Sequence, residues 1–316
     1  RKAEWFTAMA AMKTGVLDTA QQEKLTEGWK IVLTHQFHDI IPGSSIHEVY
    51  EDSVVNYQKA QSIAEEVIQE SLDILLAPTE NTLTVVNAMA EERSGMIWLE
   101  GLKDQTLVTE DGTVLPMQQE ETGAWTYITD VPAFGSKTLY VKEEKPEQGK
   151  ACSIIGEQDA DEWAIETPYY RLLLNQSGQI ASLYDKDEEC EVLAEKVCGN
   201  VFQLFEDKPI AFDNWDIDIF YYQKKEELTS LKERVLVENG PLRTVIRQSW
   251  KFHKSCIVQD MILYAQDRRI DFKTHVDWQE TQKLLKVAFP VDVRTTYATY
   301  DIQYGNVRRS NSANTS

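Results

Sequence analysis

A surplus of cations is missing from this sequence: 32 lysines and arginines face 52 aspartates and glutamates, for a formal net charge of -20. Such a chain repels phosphate backbones and anionic lipid, so nucleic acid and membrane surfaces are excluded as partners. A neutral ligand remains compatible. Long apolar runs are also missing, and none approaches the ~18 residues that a membrane span needs. The four cysteines, Cys152, Cys190, Cys198 and Cys256, never take C-x-x-C spacing, which argues against a zinc knuckle or a thiol redox site. Free buried thiols in a reducing, cytoplasmic compartment are expected instead. No initiating methionine and no leader-like apolar core stand at Arg1-Lys2-Ala3-Glu4, so the chain reads as a piece of a longer one. No internal repeat or low-complexity tract occurs.

What is present is ordinary globular composition, with 42% hydrophobic and 27% charged residues over 316 positions. That length predicts about two domains. Apolar residues at Trp5, Ala8, Met9 and Met12 predict a first short helix closed by Gly15. A second helix begins near Thr19, with Leu25, Trp29, Val32, Leu33 and Gln36 on or near one face. A third runs over 46–76, with Val49, Tyr50, Tyr57, Ile63, Val67, Ile68, Leu72 and Leu75 as its apolar side and Pro78 as its stop. Three helices on short connections make a three-helix bundle over 1–77.

After Pro78 the period changes to alternation, and runs at 82–86, 96–99, 125–128 and 137–141 predict a small β domain over 79–141. The charged stretch KEEKPEQGK opens a linker and lead-in over 142–162. From 163 to 316 strand signals dominate, with a hairpin around Asn175-Gln176-Ser177-Gly178 and longer strands at 234–238, 243–252, 256–264, 269–278 and 284–291. Strands of this length suit a large, incomplete antiparallel β-sandwich. The closing RRSNSANTS (308–316) reads as coil, with Arg308 and Arg309 in a solvated turn. The fold class expected is therefore a multidomain α and β protein, a three-helix bundle followed by antiparallel β-sandwich domains. The glycosylation triplets at Asn175 and Asn314 carry little weight without a secretory signal.

The densest chemistry is LTHQFHDIIPGSSIHE, residues 33–48, which holds three of the five histidines. His35 and His38 would share a helix face if the second helix persisted to His38. Pro42-Gly43 stops that helix, and Ser45 with Glu48 spells a capping box for the next. His38 and Asp39 then sit at a helix end, free to reach another part of the protein or a ligand. The blander reading is a local cap or ion pair. A second cluster, DNWDID (213–218), gathers Asp213, Asp216 and Asp218 around Trp215. An aromatic face with carboxylates suits a sugar; an acidic surface loop anchored by one Trp is the plain alternative.

The run QFHDIIPGSSIHEVYED (36–52) resembles the segment that ends the catalytic region of glycoside hydrolase family 38, the zinc-dependent α-mannosidases. The resemblance continues through Tyr169-Tyr170-Arg171, Ser182-Leu183-Tyr184-Asp185-Lys186, FDNWDID, Asp277-Trp278-Gln279-Glu280 and Lys283-Leu284-Leu285-Lys286-Val287. It implies that His38 is a zinc ligand and Asp39 a sugar contact, while Trp215 and Asp216 are further candidates on the chemistry of their loop alone. It also implies a retaining hydrolase of terminal α-mannosides whose nucleophile, acid/base carboxylate and remaining zinc ligands lie in a preceding catalytic domain. None of the catalytic carboxylates is expected in this chain. A site made only of His35, His38 and His47 is the alternative for the metal. The expected partners are a mannoside or mannose-containing oligosaccharide and the preceding domain, with self-association into a homo-oligomer left open. The rival function is a noncatalytic carbohydrate-binding or structural β-module with a helical adaptor.

Overall fold

The computed structural model of the chain describes residues 1–76, 79–146, 149–155, 161–213 and 215–312. Pro78 and Asn314, on which a helix stop and a glycosylation triplet were read, lie outside the described residues. The chain divides into two compact units, Arg1–Glu147 with Pro209–Asp218, and Gln148–Lys208 with Ile219–Ser316.

Three helices open the first unit: α1 (Lys2–Thr14), α2 (Thr19–Thr34) and α3 (His47–Leu75). Gly15 ends α1 in the left-handed conformation, φ 74°, and its N–H bonds back to the Ala11 carbonyl; a residue with a Cβ is strained there. Asp18 caps α2, its side chain accepting from the Ala20 and Gln21 N–H groups. α3 buries Ser53, Ala60, Val67 and Ser71, and intervals of seven, seven and four set these on one stripe.

Both shorter helices are bonded to α3. Lys24 Nζ of α2 reaches Glu66 at 2.8 Å and Glu70 at 2.7 Å, and Gln21 joins Glu70 and Ser71. Lys13 Nζ of α1 donates to the Ile74 and Leu75 carbonyls at the end of α3, groups that a helix C-terminus leaves unsatisfied.

The helices stand where the periodicity predicts them, but the inner faces of α1 and α2 do not. α1 buries Ala3, Phe6, Thr7 and Ala10, while Met12 is 78% exposed. α1 carries apolar residues all round, so period alone does not choose a side. On α2 only Gln21 is buried, and Leu33 is exposed.

The same unit then forms β1 (Thr82–Val86), β2 (Arg93–Glu100), β3 (Thr106–Val108), β4 (Met117–Gln119), β5 (Gly123–Val131) and β6 (Ser136–Lys142). They pair antiparallel in two three-stranded sheets, β1-β6-β3 and β2-β5-β4, around Leu107, Met117, Ala124, Ile128 and Leu139.

The second unit holds β7 (Ser153–Ile155), β8 (Trp163–Glu166), β9 (Tyr170–Leu174), β10 (Ile180–Asp185) and β11 (Cys190–Glu191) in one five-stranded antiparallel sheet. β12 (Val201–Glu206) and β13 (Lys225–Glu227) follow, and then β14 (Leu231–Asn239), β15 (Arg243–Phe252), β16 (Ser255–Tyr264) and β17 (Ile270–Asp277) make a four-stranded meander. β18 (Lys283–Ala288) pairs with β12, and β19 (Tyr297–Ile302) with β20 (Gly305–Ser310) forms a separate hairpin. β14 meets β15 with register shifts at Leu231/Glu233 and Leu236/Glu238, whereas β16 and β17 pair without interruption.

The alternation of residues 243–252 is a strand as read. Residues 308–310, expected as coil, lie in β20 instead, where Arg308 covers the Tyr297 ring and Arg309 the Tyr300 ring. A core of Trp163, Leu172, Leu174, Ile246, Met261 and Leu263 draws on both the five-stranded and the four-stranded sheet.

One turn needs glycine. Between β9 and β10 Asn175 Oδ1 accepts from the Ser177 and Gln179 N–H groups, and Gly178 has φ +80°. A Cβ on Gly178 would stand 2.6 Å from Gln248 and 2.7 Å from Trp250, whose indole N–H donates to the Ser177 carbonyl.

Candidate active-site turn

The His38 segment is a chain of tight turns between two helices. α2 stops at Thr34, and the Ile40 and Ile41 N–H groups both bond to the Phe37 carbonyl, at 2.9 and 3.0 Å, before Gly43 at φ 86° turns the chain toward α3. Because the helix ends early, His35 and His38 do not share a face. His35 is buried, its Nδ1 3.0 Å from Ser53 Oγ and its ring 5.2 Å from Tyr57. His38 points outward with its side chain 76% exposed, beside Asp39 at 48%, and the imidazole Nε2 is 3.7 Å from the carboxylate Oδ2. The local pair of the blander reading is thus present, but an ion pair so long and so open to water contributes little to stability. The Phe37 ring packs on the His38 ring at 4.4 Å, and Phe37, Ile41 and Ile46 are themselves exposed. The polar pair is thus flanked along the turn by an exposed apolar collar.

The capping box does not form. Ile46 precedes α3 without any side-chain cap, because the Ser45 hydroxyl is turned the other way and donates to the Asp39 carbonyl at 2.7 Å. Nor do the local histidines assemble a metal site: His47 pairs with Glu51 at 3.3 Å, and among the described residues no three His, Cys, Asp or Glu side chains come together to hold an ion.

The DNWDID loop groups with the first unit although β12 and β13, which flank it, belong to the second. The Trp215 and Asp216 N–H groups both bond to the Phe212 carbonyl, Phe212 lies at φ 55°, and Asp218 accepts from the Ile210 N–H at 2.9 Å. Trp215 is 58% exposed and so does not anchor the loop. Asp216 is exposed beside it. Asp218 is committed to the loop itself. Among the described residues no hydrogen bond, ion pair or ring contact joins Trp215 or Asp216 to His38 or Asp39.

Residues 1–75 match the α-mannosidase middle domain, and residues 165–316 match the C-terminal domain of glycosyl hydrolases family 38. The chain belongs to glycoside hydrolase family 38. Within this family-38 chain the His38 turn falls inside the first match and the DNWDID loop inside the second. Alpha-mannosidase G of Dictyostelium discoideum is 26% identical over 334 residues, covering 92% of this chain and 30% of that protein. Alpha-mannosidase 2C1 of Homo sapiens is 26% identical over 298 residues, covering 91% of this chain and 26% of that protein. A crystal structure of an alpha-mannosidase from Enterococcus faecalis V583 superposes with a TM-score of 0.72 at 16% identity, over 99% of this chain and 43% of that one, a likeness of fold. The chain thus spans less than half the length of these relatives.

Sequence reasoning passed over the groups that surround the turn from α3, Tyr50 and Ser53. A signal existed: they stand three residues apart and so on one face of α3, next to the motif.

Proposed function

We propose that this chain is the middle and C-terminal part of a zinc-dependent retaining α-mannosidase acting on terminal α-mannosides, in which His38 is one metal ligand and Asp39 contacts the sugar. The observation that carries the reading is the outward-facing His38 and Asp39 pair, exposed inside an apolar collar within the region matching the middle domain. Imidazole and carboxylate are donors that zinc accepts, and one histidine, with no ligand cluster among the described residues, fits a site shared with residues outside this chain. His38 would hold the metal from the helical side through its exposed ring nitrogen. Asp39, acceptor-only when ionised, would take hydroxyl hydrogen bonds and so fix the sugar's orientation. Bound zinc would supply Lewis-acid orientation of sugar hydroxyls. The nucleophile and the acid/base carboxylate belong to the preceding catalytic domain, with which the collar of Phe37, Ile41 and Ile46 would pack. Trp215 and Asp216 are a secondary sugar-contact candidate. The sheets of the second unit are read as a sandwich on their shared core. Four free cysteines suit a reducing, cytoplasmic setting, and no helix among the described residues is long and apolar enough to cross a membrane.

The deciding experiment is metal analysis and aryl α-mannoside turnover of the full-length protein carrying His38→Ala. Loss of both zinc and activity is expected; a full zinc equivalent in the variant would falsify the ligand assignment. Asp39→Asn should keep its zinc while kcat/KM falls by about one to two orders of magnitude, the worth of one charged hydrogen bond. The 316-residue chain alone should not turn over the substrate even with zinc added, and turnover by it would return the catalytic carboxylates to this chain.

A further inference from the structure

The turn that presents His38 and Asp39 is closed at its base by hydroxyl groups. Ser45 Oγ donates to the Asp39 carbonyl at 2.7 Å, and Ser44 Oγ reaches the same oxygen at 3.4 Å. The Tyr50 hydroxyl accepts the Ser45 N–H at 2.9 Å and donates to the Ile40 carbonyl at 3.3 Å. One phenol on the first turn of α3 thereby ties the two ends of the loop together. Three residues along the same face, Ser53 meets His35 on the incoming side at 3.0 Å while giving its own proton to the Val49 carbonyl. α3 therefore grips the segment at residue 35 and again at 40 and 45.

The bonds of Ser44, Ser45 and Tyr50 end on backbone groups of the turn, and that of Ser53 on the buried His35 ring. Fixing the Asp39 carbonyl sets the direction in which the Asp39 side chain leaves the backbone and, through one peptide unit, that of His38. A metal ligand and a sugar contact work only if held to within a fraction of an ångström and a few tens of degrees, so the groups that orient them contribute to affinity without touching the ligand.

We infer that Ser45 and Tyr50 are positioning residues for the His38 and Asp39 site, with Ser44 in support. The inference rests on the reading given under Proposed function. It is tested in the full-length enzyme with Ser45→Ala, Tyr50→Phe and the double variant, beside His38→Ala. Amide hydrogen exchange of the segment spanning 37–45 reports the turn whatever the metal does, and exchange roughly 3- to 10-fold faster for each neutral hydrogen bond removed is expected. Unchanged exchange there overturns the inference. Zinc release to a chelator should quicken and KM for an aryl α-mannoside should rise more than kcat falls, with Tm little moved. Ser45→Thr, which keeps the hydroxyl, should restore both. A merely structural brace would loosen exchange and lower Tm while leaving zinc release and KM untouched, and that result also overturns the positioning role. A harmless His38→Ala would remove the site and the positioning role together, whereas harmless Ser45 and Tyr50 variants beside a damaging His38→Ala would remove the positioning role alone.

Discussion

The helices of the first unit and the four-stranded sheet of the second are built on opposite plans. The sheet keeps its large side chains inside: Trp250, Ile246, Ile257 and Met261 are almost fully buried. α3 instead buries two serines, an alanine and one valine, and Leu33, Phe37, Ile41, Ile46, Val54 and Val55 are left outside. Since apolar burial supplies most of the favourable free energy of folding, the sheet is held by the cores it shares with its neighbours in the second unit. The helices here have polar cross-links and small residues where a self-sufficient bundle has a leucine core. What they teach is that helices can be cross-linked closely to one another while large apolar side chains stay exposed.

The contrast can be broken at its strongest point first. Trp250→Ala should cost the second unit about 3–5 kcal/mol, the usual range for deleting a buried aromatic ring, read as a drop in its urea midpoint. Leu33→Ser and Val55→Ser in the same chain should stay within about 0.5 kcal/mol. Equal losses at both places would mean that the exposed helical residues already support this chain, and the contrast would be gone.

A smaller effect sharpens the sheet side. Gly178→Ala forces a Cβ against Gln248 and Trp250 at a left-handed position, which should cost about 1–3 kcal/mol. A neutral result would show that the β9 to β10 turn has room to yield, and that the Trp250 packing is looser than its burial suggests.

The smallest effect is electrostatic. The Glu188 N–H first, and the Arg268 guanidinium after it, hold the Asp185 carboxyl below its ordinary range. A group depressed in the folded state contributes stability that is present above its unfolded pKa, about 4, and lost as pH falls through the folded value. Arg268→Gln should therefore differ from the parent in urea midpoint at pH 7, and the two should converge below about pH 4. An undiminished gap at pH 3 would assign Arg268 to packing, over the Tyr169 and Tyr170 rings, and not to charge.

These same places show what a sequence can display. β15 was legible because its last seven residues, 246–252, alternate between core and surface, and the β9 to β10 hairpin because Asn and Gly there do what the turn requires. β3 and β4, three residues each, are too short to show a period. The inner face of α3 was legible only in part: periodicity follows large apolar residues and so finds Val67, but not the Ser53, Ala60 and Ser71 that share its buried seam. At the site, His38 and Asp39 could be picked out by motif. The use of Ser45 could not, because Ser-x-x-Glu reads alike whether the hydroxyl caps α3 or closes a turn. Its competing acceptor, the Asp39 carbonyl, is brought near only by the fold of the intervening turns.

The paired irregularities in β14 bear on how this protein fails. β14 and β17 are the two margins of one sheet, yet β14 is kinked twice against its neighbour while β17 runs true along β16. A kinked margin twists its free amides out of line and offers a poor template for a foreign strand; a straight one offers a good template. Addition of an extra strand is thus one-sided. A chain caught partly folded would recruit others through residues 270–277, and aggregates seeded this way would grow from a single margin.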